Sequence, residues 1–253
     1  MLFHKTAEEI DRIKESCLLV SKTHALLKTQ LKPGIKTIKL DQMAYEFICD
    51  HKAKPAFLNY HGFPNTLCIS VNDIIVHGIP SDYELQEGDV VSIDCGVMKD
   101  GFFGDSCYTF VVEPVSKEVC TFVNTVKQAL YKGIEAAKPG NRIGDIGNTI
   151  QTFVEQQQYS VVREMVGHGI GRNLHEAPDV PNYGKARTGM LLRKGMVLAV
   201  EPMINFGSRW VKLMDDGWTL KTRDGRISAH FEHTISIGEA HSEVLSNFEL
   251  IEK

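Results

Sequence analysis

The chain has 253 residues, 43% hydrophobic and 24% charged, with a formal net charge of -4. That suits a globular protein with a sizeable core. It offers no basic run as a nucleic-acid footprint and no apolar run of membrane-spanning length, so neither partner is expected. From the start, Thr6-x-x-Glu9 is a capping box, and Ile10, Ile13, Cys17, Val20, His24 and Leu27 follow at steps of three or four. This predicts an amphipathic helix stopped near Lys32-Pro33-Gly34. A second helix is expected over 37–50, then a strand over 68–71 and an apolar run over 74–78 that ends in a turn. Strands at 89–97 and 102–112 flank a Lys99-Asp100-Gly101 turn, and helices follow at 117–137 and 143–158. The last third predicts strands over 196–204, 210–214, 218–222 and 227–237, with Asp215-Asp216-Gly217 and Arg223-Asp224-Gly225 as hairpin turns.

The N-terminus, Met1-Leu2-Phe3-His4-Lys5-Thr6-Ala7-Glu8-Glu9, turns charged at once, with no apolar signal region. Cys17, Cys49, Cys68, Cys95, Cys107 and Cys120 form no Cys-x-x-Cys pair. They read as reduced thiols of a cytoplasmic protein rather than a disulfide set.

Between the last helix and the final strands lies Gly167-His168-Gly169-Ile170-Gly171-Arg172-Asn173-Leu174-His175-Glu176-Ala177-Pro178. Glycine permits tight turns and close approaches, and neutral imidazole is a common metal ligand. A glycine-rich turn with two surface histidines is the plainer alternative. A dinucleotide loop needs a helix directly afterwards, and Pro178 and Pro181 deny it.

An internal repeat bears on the choice. Lys32-Pro33-Gly34 matches Lys138-Pro139-Gly140 at an offset of 106 (138 − 32). The run from Leu85 to Asp94 matches the run from Leu192 to Glu201 at 107 (201 − 94). Phe103-Gly104-Asp105 matches His230-Phe231-Glu232 after an insertion at 206–226. The expected organisation is a single catalytic domain over 1–253, with halves at roughly 6–113 and 114–253. The repeat puts acid on acid: Asp94 on Glu201 and Asp105 on Glu232. One buried acid is often a satisfied core group. Four together are too costly as bare charges, and no lysine or arginine lies within these strands to neutralise them.

Metal ions are the better answer. Carboxylates with one or two imidazoles, and no thiolates, suit Mn, Fe(II), Co or Zn in a two-ion site. Two ions ~3.5–4 Å apart clamp a displacement at carbonyl or phosphoryl. Strand alternation puts His230 on the face of Glu232 and turns His233 away, as a structural residue.

The ordered set Cys68-Ile69-Ser70-Val71-Asn72 to His77-Gly78-Ile79-Pro80, Ile93-Asp94, Gly104-Asp105, Gly167 to Gly171, His175-Glu176-Ala177-Pro178, Glu201-Pro202-Met203 and Phe231-Glu232-His233-Thr234 resembles the type I methionine aminopeptidases over nearly the whole chain. The short bacterial form is the nearer match, without a zinc-finger extension or the large insert of type II enzymes. The resemblance implies an α+β pita-bread fold: two pseudo-symmetric αβ halves around a curved, mostly antiparallel sheet. It implies that Asp94, Asp105, His168, Glu201 and Glu232 hold two divalent ions, with Asp105 and Glu232 bridging. Glu201 would also handle the proton of the attacking water. His77 and His175 would contact substrate and the tetrahedral intermediate. Tyr60, Phe63, Cys68 and Trp218 would form the methionine pocket, Phe57 and Leu174 its wall, and His61 its mouth. Core packing is the plainer role for Tyr60, Phe63 and Trp218. Asn72 and Ser228 match positions that help bind a monovalent cation, Na or K, in some members. The implied substrates are N-termini of nascent polypeptides with a small second residue, met at the ribosome or after release. A monomer is expected, since the repeat supplies its own symmetry.

The chain departs from the family pattern at three places. His230 stands where glutamine is frequent, Phe57 is bulky for the pocket wall, and Leu174 replaces a common aromatic. None removes a ligand. The rival readings are an X-Pro aminopeptidase, prolidase or creatinase-like hydrolase, which usually carries a further N-terminal domain; a peptide-binding module on the same fold, which would have lost ligands; and a phosphoesterase, which would need a cationic cluster beside the acids.

Overall fold

The computed structural model describes residues 4–253. Met1, Leu2 and Phe3, where the reading of the N-terminus began, lie outside the described residues. Thr6 opens the first helix as the capping box predicts. Its hydroxyl accepts from the Glu9 N–H at 3.2 Å, and the Glu9 carboxylate accepts from the Thr6 N–H at 2.8 Å. Two donors that a helix start leaves unpaired are thereby satisfied. Helix α1 (Ala7–Lys28) stops short of the Lys-Pro-Gly signal, at Thr29, whose N–H bonds back to the Leu26 carbonyl.

The first half continues with α2 (Thr37–Asp50), β1 (Lys54–Pro55), β2 (Leu67–Val71), β3 (Ile74–Val76), β4 (Val90–Lys99) and β5 (Phe102–Val111). The second half has α3 (Lys117–Ala136), α4 (Ile143–Gln156), β6 (Ser160–Val161), β7 (Gly167–Gly169), β8 (Glu176–Val180), β9 (Val197–Val200) and β10 (Met203–Asn205). It ends with β11 (Val211–Leu213), β12 (Leu220–Thr222), β13 (Ser228–His230), β14 (His233–Ile237), β15 (Ser242–Val244) and the short α5 (Glu249–Glu252). All strand pairs are antiparallel. β4 lies between β5 and β2, with β1 beside its far end. In the second half the order is β15-β14-β9-β7-β8.

Backbone hydrogen bonds beside the two Lys-Pro-Gly turns recur. The Gly34 N–H donates to the Leu85 carbonyl, and the Gly140 N–H to the Leu192 carbonyl. Both glycines have positive φ, 85° and 89°, in the left-handed region that suits glycine. Thr37 to Tyr83 and Ile143 to Met190 repeat the pattern one step on. Phe122, Leu130 and Ile146 from the helices pack with Leu198 and Ile235 of the second sheet in a core shared with the first half.

Two expected strands are interrupted. β9 pairs with β14 as far as Val200 opposite His233, and β10 pairs with β13 starting at Met203 opposite His230. Glu201-Pro202 therefore faces Phe231-Glu232 across a gap in the ladder. Proline has no N–H to give to a sheet, so pairing fails at Pro202. β5 spans the gap instead: the Glu232 N–H donates to the Cys107 carbonyl at 2.9 Å, and the Ser106 hydroxyl donates to the Glu232 carbonyl at 2.7 Å.

The glycine-rich stretch, expected as a tight turn, runs partly as strand. β7 is pressed between β9 and β8. A Cβ on Gly167 would come within 2.3 Å of the Ala199 carbonyl oxygen, and one on Gly169 within 2.4 Å of that of Ala177. Pro178 is tolerated in β8 because that strand is an edge. The insertion forms a β11–β12 hairpin that pairs with β3 of the first half. Among the described residues, no helix is long and apolar enough to cross a membrane.

Gly104 sits beside Asp105 where β5 passes under α1, and a Cβ there would lie 2.5 Å from the Cys17 amide nitrogen. Helix backbone cannot yield as a side chain does. Gly104→Ala is expected to cost about 1–3 kcal/mol of stability, read as a lowered denaturation midpoint with an unchanged slope.

Candidate metal centre

The strand pairing decides which acids meet. On β4 and β5, Asp105 lies opposite Gly96 and Asp94 opposite Cys107, so the two acids share one face as diagonal neighbours. Glu201 and Glu232 occupy the facing gap of the second half. Asp105 and Glu232 are 3% and 2% exposed. One carboxylate oxygen of Glu232, Asp94 and Asp105 is buried with no hydrogen-bond partner, and so is Nε2 of His230. The nearest ligand atoms of Asp105, His168 and Glu232 all lie within 4.8 Å of one another.

His168 is presented by β7. Its Nδ1 lies 2.9 Å from the Gly169 carbonyl oxygen, to which it donates. That fixes the tautomer and leaves the Nε2 lone pair facing the cavity, 3.5 Å from a Glu201 oxygen. Burial, with His175 beside it, pushes the His168 pKa down to about 3, so the ring is neutral and able to ligate. The other Glu201 oxygen lies 3.7 Å from His230 Nε2.

The acids show the opposite strain. Burial pushes the Asp94 carboxyl up to about 7. Burial, then neighbouring carboxylates, holds Asp105, Glu201 and Glu232 well above the usual carboxylate range. Four such groups ionise together only with cations among them. Orphaned oxygens, a neutral imidazole and an oxygen-rich donor set fit a divalent-metal site.

These groups form the floor of a cavity of about 540 Å³. Phe57, Tyr60, Phe63, Cys68, Leu174 and Trp218 line it, as do His61, His77 and His175. Trp218 arrives from the Asp215-Asp216-Gly217 turn and meets Phe63 edge to face, ring centroids 5.2 Å apart. Phe63 is both core and wall, at 3% exposure. Cys68 faces Asp94 across β2 and β4, and burial, then the nearby acids, keeps its thiol protonated. Val76, Met165 and Met203 also line the cavity and were not singled out from sequence. Met203 follows Glu201-Pro202 directly, which was a usable signal; Met165 had none.

Three residues named from the sequence lie outside the cavity, His233 as its strand alternation predicts. His233 points away, its Nδ1 2.6 Å from the Ser246 hydroxyl and its ring stacked on Phe248. Asn72 and Ser228 are outside the cavity wall. They meet each other, the Ser228 N–H donating to the Asn72 carbonyl at 2.8 Å. All six cysteines are free thiols.

Glu176 holds the loop before β8. One of its oxygens accepts from the Arg172 and Asn173 N–H groups, at 2.8 and 3.0 Å. The other accepts from the Lys5 ammonium in a buried ion pair. His175 is carried on this braced loop.

A raised carboxyl pKa stabilises the fold below the unfolded value of about 4 and loses that contribution as pH climbs through the folded value. Divalent cations replace those protons. The rise in Tm on adding Mn(II) to metal-stripped protein is therefore expected to be larger at about pH 8 than at about pH 5.5. Equal rises at both would show that these acids are not the ligands.

A sequence profile of metallopeptidase family M24 matches residues 11–239. A methionine aminopeptidase of Clostridium perfringens is 48% identical over 246 residues, which cover 97% of this chain and 99% of the relative. A crystal structure of methionine aminopeptidase from Rickettsia prowazekii superposes with a TM-score of 0.96 at 40% identity, covering 98% of this chain and all of that one (100%). A prolidase of Pyrococcus furiosus gives a TM-score of 0.80 at 23% identity, over 96% of this chain and 65% of its own, a likeness of fold alone.

Proposed function

Since this chain belongs to metallopeptidase family M24, we propose that Asp94, Asp105, His168, Glu201 and Glu232 hold two divalent ions at which the N-terminal methionine of a polypeptide is hydrolysed. The activity is that of a metal-dependent methionine aminopeptidase on the pita-bread fold. The observation that carries the ligand assignment is the matched gap at Glu201 and Glu232, closed by β5, which brings Asp105 and, from its partner β4, Asp94. Asp105 and Glu232, the more deeply buried pair, would serve both ions.

When bound, the ions polarise the scissile carbonyl and acidify water. Glu201 takes the proton of the attacking water and returns it to the leaving amine as the C–N bond breaks. His175 donates a hydrogen bond to the oxygen that gains charge in the tetrahedral intermediate, and His77 holds the substrate opposite it. The apolar wall of Phe57, Phe63, Cys68, Leu174 and Trp218, with Tyr60, receives the thioether, whose polarisable sulfur suits aromatic and sulfur neighbours. His61 stands at the mouth.

The substrates are nascent chains with a small second residue, and the ions are drawn from Mn, Fe(II), Co and Zn. Asn72 and Ser228 contribute to a monovalent cation site outside the cavity. One catalytic domain covers the chain, with halves meeting near 113–114. No cationic cluster lines the cavity among the described residues, which disfavours phosphoester substrates.

Metal-stripped protein is expected to release free methionine from a Met-Gly peptide only after Mn, Fe(II), Co or Zn is restored, and to leave an Ala-Pro peptide intact. Cleavage of the proline peptide instead would assign the chain to the prolidase-like branch. His175→Ala is expected to lower kcat by about 10²–10³ while the ions stay bound. Metal loss in that variant, measured by elemental analysis, would make His175 a ligand and refute its role here.

A further inference from the structure

Tyr60 differs from the other apolar-wall residues in having a polar bond to the reacting groups. Its hydroxyl oxygen lies 2.9 Å from Nδ1 of His175. The two rings meet edge to face with centroids 5.1 Å apart, and His61 packs on the same phenol ring at 4.4 Å.

The backbone around Tyr60 is unusual. Asn59, His61 and Gly62 have φ of 64°, 48° and 91°. Two of these three left-handed residues are not glycine, and such positions persist only where the surroundings hold them. The turn is closed by the Asn59 N–H on the Phe63 carbonyl at 2.8 Å and the Phe63 N–H on the Tyr60 carbonyl at 3.0 Å. Presenting an aromatic wall needs no such turn: Phe63 does so from ordinary extended backbone, φ -61° and ψ 130°. What the strained turn adds is the aim of one hydroxyl at one nitrogen.

We propose that Tyr60 is a positioning residue: its O–H donates to Nδ1 of His175 and so holds the imidazole as the Nε2–H tautomer, with that proton directed at the oxygen of the tetrahedral intermediate. The inference rests on the oxyanion role given to His175 above. A neutral imidazole has a single N–H, and the partner of one nitrogen decides where it sits. The two groups lie at hydrogen-bond distance, and of the two a phenol O–H is the stronger donor and an imidazole nitrogen the stronger acceptor. The phenol is then the donor.

The same ring lines the cavity that takes the methionine side chain. A filled pocket confines Tyr60, and through the hydrogen bond it confines His175. Recognition of the side chain and alignment of the oxyanion donor are thus joined in one residue.

Tyr60→Phe keeps the wall and deletes one oxygen. With a Met-Gly peptide and Mn(II), kcat is expected to fall about 10–100-fold while KM stays within about twofold. In ¹⁵N-histidine NMR of the metal-free proteins, the His175 signals, identified by their loss in His175→Ala, should report Nε2–H in the parent and mixed tautomers in Tyr60→Phe. Unchanged kcat with a single tautomer would overturn the proposal, and a raised KM at unchanged kcat would reduce Tyr60 to a wall. If His175→Ala itself turned over normally, the oxyanion reading would fail and take this proposal with it. An inactive His175→Ala beside a fully active Tyr60→Phe would refute Tyr60 alone.

Discussion

Like charges repel most where water is scarce, and four carboxylates around one cavity make that cost the governing constraint on this fold. Each half contributes an antiparallel ribbon with two acids, and both ribbons face the same space. The first ribbon is unbroken: β4 and β5 pair over ten residues, with Asp94 and Asp105 on one face. The second is split at Glu201-Pro202 and Phe231-Glu232. The split lets Glu201 and Glu232 leave the pleat and meet the acids of β4 and β5. Cations are what make the arrangement tolerable, so the fold and the metal requirement have one physical cause.

The walls follow from the same geometry. The neutral imidazole of His168 enters from a strand squeezed between two others, which only glycine neighbours allow. The apolar pocket comes from the other end of the chain and from the insertion, whose hairpin pairs with β3 and carries Trp218 to Phe63 and His77. Polar floor and apolar wall thus have separate origins: the floor from the repeated ribbons, the wall from segments particular to each half.

Much of this was legible in the sequence because local signals agreed with the global pattern. The capping box at Thr6 and the Lys-Pro-Gly turns each have a counterpart in the structure. The breaks at Glu201 and Phe231 were not legible, since a run such as Met196-Val197-Leu198-Ala199-Val200 reads as continuous strand, and the switch of pairing partners is a tertiary event. β7 and β8 were hidden for the opposite reason: glycines and Pro178 argue against strand locally, and only the neighbouring strands explain them. Tyr60 was readable as an aromatic near the pocket. Its bond to His175 spans 115 positions and leaves no trace in spacing.

The brace between Lys5 and Glu176 sets an order of events in folding. Lys5 also donates its N–H to the Gly195 carbonyl, so it finds its partners only across separations of 171 and 190 (195 − 5) positions. The ribbon of β4 and β5 is local and free to form early, as N-terminal units do during synthesis. The loop bearing His175 cannot be braced until the second half has emerged. The outer brace of the reactive loop thus ties the site to the joining of the two halves.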